Sequence, residues 1–522
     1  MTAAEIVVSP ASDGSSEHSS ADGRMAEVNA IDLELIDSSR YRYRCRKYDR
    51  DFGDGKVGGG ASGLPRCLRG EHSPVKPACV PVFIVVIFIS LVVLYPIMHS
   101  DGDDARPDVC HDQCTYNLVE SIPENLSYLI GSPMLQSTFH SWMSLMANAE
   151  RSLDLAAFYW TLRGQDVYED ASDWQGAHVY KMLETTGRRV LVRIAQNVPR
   201  DHNASIETEL LQKQNLAKVR SLNFTRWFGS GVLHSKLWLA DQRDFYVGSA
   251  NMDWRSLTQV KELGITVRNC ACLANEIHKI FAVYWIMGDW KQKTIPKKWP
   301  PNLATKFNAK NPLVVRMNGT AYDVYLSSSP PEFCPPGRED DLSAILDIIR
   351  GADRFVHIAV MDYSPSTLYT HPKRYWPLID DALRAAAFER HISIKILCSH
   401  WNHTRPSMVP FLKSLIAVNG AIAHTRQPLI QAKLFIVPSF TAQQANIPFG
   451  RVNHNKYMVT DNTAYIGTSN WSGDYFTVTG GVGLIIRNRR SNASSNATES
   501  PAAQLEAVFQ RDWSSVYAHN IE

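Results

Sequence analysis

The sequence predicts an α/β protein made of two similar halves that share one composite active site, preceded by a single transmembrane helix. Three observations lead to that reading. The motif His-x-Lys-x-x-x-x-Asp occurs twice, as His234, Lys236, Asp241 and as His454, Lys456, Asp461. One copy is expected only about 0.04 times by chance at ordinary residue frequencies. A longer repeat surrounds the motifs: the run Ala149 to Ala156 is answered by Ala352 to Ala359, and Arg189 to Ile194 by His391 to Ile396. Finally, Ala78 to Met98 is a 21-residue stretch without a charge, long enough to cross a bilayer.

Taken in order, residues 1–77 are rich in Ser, Asp, Gly and Arg and poor in aliphatics, with a glycine-rich run from Gly53 to Gly63. They have no core to build and are expected to be a disordered cytoplasmic tail. The apolar segment 78–98 lies too far from Met1 for routine cleavage and lacks a small-x-small exit, so it reads as a retained signal anchor. Arg42, Arg44, Arg46, Lys47, Arg50, Arg66, Arg69 and Lys76 precede it, while Asp101, Asp103 and Asp104 follow. That asymmetry places the N-terminus in the cytoplasm and the rest in a lumen, a single-pass type II arrangement.

Sequons and cysteines agree with that topology. All eight Asn-x-Ser/Thr sites, Asn125, Asn203, Asn223, Asn318, Asn402, Asn470, Asn492 and Asn496, follow the apolar segment. Six cysteines also follow it: Cys110, Cys114, Cys270, Cys272, Cys334 and Cys398. An oxidising compartment would pair them, and six cysteines allow fifteen connectivities. The short spacings of Cys110 with Cys114 and of Cys270 with Cys272 suggest two neighbouring bridges between those pairs, which leaves Cys334 for Cys398. A zinc site is the weaker alternative, because the spacing is poor.

The lumenal part divides into halves at 99–312 and 313–522, joined by the Pro-rich stretch Ile295 to Pro312. Apolar β-branched runs alternate with helical patterns such as Asp340 to Arg350 and Leu378 to Glu389, which predicts βα units, mostly parallel sheets and helices outside. Net charge is only +2, so no broad electrostatic footprint for duplex binding exists, and a nucleic acid would have to be held by a local groove.

The motif spacing specifies chemistry. On a strand, His and Lys two residues apart share a face. Each motif is followed by a small-residue turn, Gly248-Ser249-Ala250-Asn251 and Gly467-Thr468-Ser469-Asn470. Two such faces brought together offer two imidazoles, two ammonium groups and two Asn amides, a donor-rich pocket for a phosphodiester whose oxygens gain charge in the transition state. One His can attack phosphorus while the other protonates the departing oxygen. The cationic groups already neutralise the phosphoryl group, and no Asp/Glu cluster has two-metal spacing. No metal site is assigned and no cofactor is required, with a supporting divalent cation left open.

The paired motifs and their turns resemble the phospholipase D superfamily. Three longer stretches, Phe158-Tyr159-Trp160-Thr161-Leu162, Cys334-Pro335-Pro336-Gly337-Arg338 and the run from Arg374-Tyr375-Trp376-Pro377 to Leu383, are similar to its single-pass endolysosomal branch, phospholipase D family members 3 and 4. The resemblance implies a duplicated phospholipase D-like α/β sandwich whose half-sites meet at a pseudo-twofold axis. It implies a lysosomal 5′ exonuclease on single-stranded DNA or RNA working through a phosphohistidine, with a phospholipid hydrolase or transphosphatidylase acting on lysophospholipids as the alternative. It further implies a homodimer, passage through endoplasmic reticulum and Golgi to late endosome and lysosome, and leaves proteolytic release of the lumenal domain open.

Residue roles follow from the same resemblance. Lys236, Lys456, Asn251 and Asn470 join the histidines in holding the phosphate, His234 is favoured as nucleophile and His454 as acid, and Glu262 supports the opposite His. At the same offset from its own motif Asp the second half has Val482, so the support is asymmetric. Asp241 and Asp461 either orient the site or organise strand-end turns. Phe158, Tyr159, Trp160, Trp254 and Trp471 are candidates to stack on a base, with burial in the core as the alternative. Asn470 is both a phosphate-site residue and a formal sequon and is expected to stay unmodified; the other seven sequons are expected on surface loops.

Overall fold

The computed structural model describes residues 108–199, 206–422, 429–489 and 499–521. The tail 1–77, the apolar segment 78–98 and the sequons Asn203, Asn492 and Asn496 lie outside the described residues. Among those described, no helix is long and apolar enough to cross a membrane.

Two sheets repeat one strand order. The first runs Val109–Ser121, Val260–Arg268, Asp244–Gly248, Leu237–Ala240, Ser152–Ala157, Leu191–Asn197, Lys218–Leu222. The second runs Thr320–Ser329, Gly481–Asn488, Thr463–Gly467, Lys456–Thr460, Phe355–Val360, Ser393–Ser399, Ile430–Phe435. The expected mostly parallel pairing needs correction. Only the last three strands of each list pair in parallel; the other pairings are antiparallel. The reason is the motif itself. Its Asp ends one strand and the next begins within a few residues, and a connection that short can only make a hairpin.

Alternation along the hairpin strands explains the layers. Leu237 and Leu239 point into a central core that also takes Tyr457 and Val459, while Trp238 and Met458 between them point outward. The central core therefore lies between the two sheets, with the helices Ala271–Met287 and Pro501–Trp513 packed into it. Each outer sheet face is covered by its own helices: Thr138–Asn148 and Trp174–Gly187 on the first, Asp341–Arg350, Leu378–Arg390 and Met408–Ile416 on the second. Helix Asp341–Arg350 shows why these segments are helical. Asp340 accepts from the Ser343 N–H at 2.9 Å as its cap, and Ala344, Ile345, Ile348 and Ile349 form a buried stripe.

A buried ionic network anchors the strand Val260–Arg268. Arg511 of the last helix grips both oxygens of Glu120 at 2.8 and 2.7 Å, and Lys261 lies 3.0 Å from Asp512. These charges are almost completely buried and persist because each faces an opposite charge. The C-terminal helix is thereby fastened to the strand that carries Glu262.

Two disulfides join the start of the described region to the end of the first half, Cys110 to Cys272 and Cys114 to Cys270. Their four sulfurs fall within 4.8 Å of one another, and bonded in pairs they offer no thiolates to zinc. The expected bridge between Cys334 and Cys398 is corrected: both are free thiols. Cys334 follows the strand Thr320–Ser329 and bonds the Ser328 carbonyl at 3.2 Å, whereas Cys398 is buried in the outer core beneath the second sheet. Burial pushes the Cys334 thiol up to about 12 and raises that of Cys398 as well.

Alkylation of the unfolded, unreduced chain followed by peptide mass spectrometry is expected to label Cys334 and Cys398 and to find the other two pairs bridged. Replacing Cys114 and Cys270 together by Ser should cost about 2–5 kcal/mol of stability, since the bridge closes a long loop. A Cys334–Cys398 bridge in the native protein would contradict this assignment.

Candidate active site

The two motifs enter the site by crossing onto each other's sheet. The His234 N–H donates to the Gly480 carbonyl and the His454 N–H to the Lys261 carbonyl, both at 2.8 Å. The segments before the histidines thus pair with the strand of the opposite half, Leu233 beside Gly480 and Asn453 beside Lys261. Both histidines consequently line one cavity of about 690 Å³, together with Asn251, Asn470 and Glu262. All five residues are buried or nearly so.

His and Lys share a strand face in both halves, as their spacing requires. Lys236 Nζ donates to the His234 carbonyl at 2.6 Å and Lys456 Nζ to the His454 carbonyl at 2.7 Å. These lysines are 2% and 1% exposed. Burial, then the neighbouring ammonium of Lys456, holds Lys236 well below its usual range. Burial alone brings Lys456 down to about 7, against the pull of Glu262 and Asp362. Two buried ammonium groups and two buried imidazoles face the carboxylates of Glu262 and Asp362, and an entering anion would favour the charged form of the lysines that burial opposes.

The histidines differ in their partners. His454 Nδ1 donates to Glu262, 2.9 Å from Oε2 and 3.0 Å from Oε1, and Glu262 is itself fixed by the Ser256 hydroxyl at 2.8 Å. His234 Nδ1 faces the Thr468 carbonyl at 2.8 Å. A carbonyl only accepts, so His234 carries its proton on Nδ1 and turns a bare Nε2 toward the cavity. Burial, then Lys236 and Lys456, keeps His234 well below the ordinary imidazole range, in the neutral form. His454 is lowered by burial too, but Glu262 pulls back toward the charged form.

The second-half counterpart of Glu262 must be corrected. Strand register pairs Gly248 with Gly264 and Gly467 with Gly483, because the second hairpin is one residue shorter. The counterpart is therefore Gly481, where a Cβ would come within 2.4 Å of Ser469 Oγ, and Val482 belongs to the central core. No carboxylate can stand there. The Thr468 carbonyl, which sequence reasoning missed because a backbone group carries no sequence signal, takes its place.

Asp241 and Asp461 lie at the turns. Asp241 and Gln242 have φ of 56° and 54°, the left-handed pair of a tight hairpin. The Asp241 carboxylate accepts from the N–H groups of Glu150, Arg151 and Ser152 at 2.7–2.8 Å. Asp461 accepts from Asp353 and Arg354 at 3.1 and 3.0 Å. Each ties its hairpin to the start of the neighbouring strand, and neither is among the residues that line the cavity. Of the five aromatic candidates, Trp160, Trp254 and Trp471 are at most 1% exposed and have no face for a ligand. Phe158 and Tyr159 line the cavity, Phe158 with its ring 5.4 Å from that of His234.

Asn251 and Asn470 border the histidines as expected. Asn470 Nδ2 donates to the Tyr475 hydroxyl at 3.0 Å, and both asparagines bury a side-chain oxygen that finds no protein partner. Sequons Asn125, Asn318 and Asn402 are exposed, and Asn223 caps a short helix by accepting from the Arg226 N–H.

The family profile described as PLD3/4, PLD-like domain matches residues 131–439. The chain belongs to this phospholipase D-like family. It is 47% identical over 411 residues to a Xenopus laevis protein named 5′-3′ exonuclease PLD3, covering 78% of this chain and 81% of that one. It is 43% identical over 414 residues to the Mus musculus 5′-3′ exonuclease PLD4, covering 79% and 80%. Among solved structures, the phosphatidylserine synthase of Haemophilus influenzae aligns with a TM-score of 0.47 at 12% identity, covering 73% of this chain and 85% of that one.

Glu262→Gln removes the charge that favours the protonated form of His454. The pH above which kcat/KM declines should shift to lower values while the ascending limb stays in place; an unshifted profile would show that Glu262 does not act through His454. Glycopeptide mass spectrometry of the active protein should find Asn470, 3% exposed, without a glycan, and substantial occupancy there would contradict the buried site.

Proposed function

We propose that this protein is a 5′-to-3′ exonuclease on single-stranded DNA and RNA, acting through a phosphohistidine on His234 in the lumen of lysosomes. The observation that carries the mechanism is the unequal pairing of the two histidines. His234, with its proton fixed on Nδ1, attacks phosphorus through Nε2; the P–O5′ bond to the remaining chain breaks, and His454 gives that oxygen its proton. Water, deprotonated by His454, then attacks the phosphoryl group and frees His234. The products are a nucleoside 3′-phosphate and a chain shortened by one residue with a new 5′-hydroxyl. Identity to two proteins named 5′-3′ exonucleases supports the reaction and its direction.

Lys236, Lys456, Asn251 and Asn470 hold the non-bridging oxygens, where donors aimed at developing charge contribute most in a dry site. Neither step calls on a metal ion, and a chelator is expected to leave the rate unchanged. The protein's place in the cell is inferred from the segment 78–98, flanked by basic residues before and acidic residues after, and from the restriction of sequons to the chain beyond it. It is a type II anchor with the site lumenal, where an acidic medium favours the charged form of Lys456, which burial brings down to about 7.

His234→Ala and His454→Ala should each lower turnover of a single-stranded oligonucleotide by at least a thousandfold with melting temperature retained, because each histidine has its own step. A covalently closed single-stranded circle should resist the wild-type enzyme, whereas rapid cutting of the circle would contradict an exonuclease. Parallel incubation with lysophosphatidylglycerol tests the lipid alternative. Since Lys456 titrates near 7, KM should rise as the pH passes above that value, and a KM constant to pH 9 would remove its role in binding the anion.

A further inference from the structure

We propose that Phe449, backed by His403, is a stacking platform for an unpaired nucleobase next to the scissile phosphate, an inference that rests on the exonuclease reading above. Both residues line the same cavity as the catalytic histidines, and both project from exposed loops of the second half. Their rings stack, with centroids 4.8 Å apart and planes 20° apart, and Trp401 meets His403 edge-on at 4.7 Å. Trp401 also approaches the Phe449 ring at a tilt, with centroids 6.4 Å apart, yet Phe449 is 59% exposed, which leaves much of its ring open to a ligand.

Local folding gives no reason for an aromatic residue here. Phe449 has φ of 57°, a left-handed conformation that favours Gly or Asn and that bulky side chains rarely adopt. The loop is held in that shape from both sides. Arg255, deep in its ion pair with Asp253, donates to the Pro448 carbonyl at 2.6 Å, and Arg451 donates to the Pro438 carbonyl and to the Gln259 side chain. An exposed ring on a strained but clamped backbone, at the edge of a phosphodiester cavity, has the properties of a ligand-facing surface. Its ring contacts within the protein are with His403 and Trp401.

An aromatic face with a second ring behind it suits a planar, uncharged π-system, and every nucleobase presents one whatever its hydrogen-bonding edge. A base inside a duplex is covered on both faces by its neighbours and cannot reach the platform. Phe449 therefore favours single strands without reading sequence, which fits a chain whose net charge of +2 offers little general attraction for nucleic acid.

The test uses the full-length chain in detergent, with an oligothymidylate and an oligonucleotide of equal length whose residues nearest the 5′ end are abasic. Phe449→Gly and Phe449→Ala should raise KM on the oligothymidylate about tenfold, with kcat falling less than twofold, and Phe449→Trp should restore KM. On the abasic strand none of the three should change KM. Because Gly adopts positive φ without the strain that a side chain incurs, the melting temperature of Phe449→Gly should be unchanged or higher, which separates lost stacking from lost folding. Equal effects on both substrates, or no effect on either, would overturn the platform while leaving the exonuclease reading intact. A wild-type enzyme that cuts neither strand but hydrolyses lysophosphatidylglycerol would overturn both.

Discussion

Everything in the site depends on two backbone hydrogen bonds that cross between the halves, from His234 to Gly480 and from His454 to Lys261. Without them each sheet would carry only its own half of the site. With them, two histidines, two lysines and two asparagines converge on one cavity. The crossing also explains why support for each imidazole comes from the opposite half: Glu262 reaches His454 and the Thr468 carbonyl reaches His234.

That asymmetry divides the work between chemically identical side chains. A carboxylate stabilises an imidazolium, whereas a carbonyl only selects a tautomer, and this difference supports the proposed roles of acid for His454 and nucleophile for His234. Gly481 is as much part of the device as Glu262, since any side chain there would collide with Ser469 and Ser329. Burial disfavours the charged form of both lysines, Glu262 and Asp362 offset this only in part, and an anion in the cavity would favour the charged form further. Rigidity comes from farther out, where Arg511, Glu120, Lys261 and Asp512 hold the strand bearing Glu262 in place.

Much of this was legible in the sequence because it is local. The His-x-Lys spacing fixes a shared strand face, the small-residue turns place Asn251 and Asn470, and the repeat announces the duplication. Features that depend on register were not legible: Val482 was one residue away from the true counterpart, Gly481, because the second hairpin is shorter. Backbone groups such as the Thr468 carbonyl leave no trace in composition. Aromatic residues misled in both directions. Trp160, Trp254 and Trp471 belong to the core, while Trp401, His403 and Phe449, in loops without a motif, border the cavity. Free Cys334 and Cys398 show the limit of elimination, since an even count does not bring two sulfurs together.

The division of labour between the histidines is the central claim, and the covalent intermediate reports on it directly. Rapid quenching of the enzyme during turnover of an oligonucleotide radiolabelled at its first phosphodiester, with digestion under alkaline conditions, would locate the phosphoryl group. The label should reside on the peptide containing His234, and it should accumulate further when the departing oxygen needs no proton, as with a nitrophenyl leaving group in the His454→Ala enzyme. Label on His454, or turnover with no covalent adduct at all, would contradict the account.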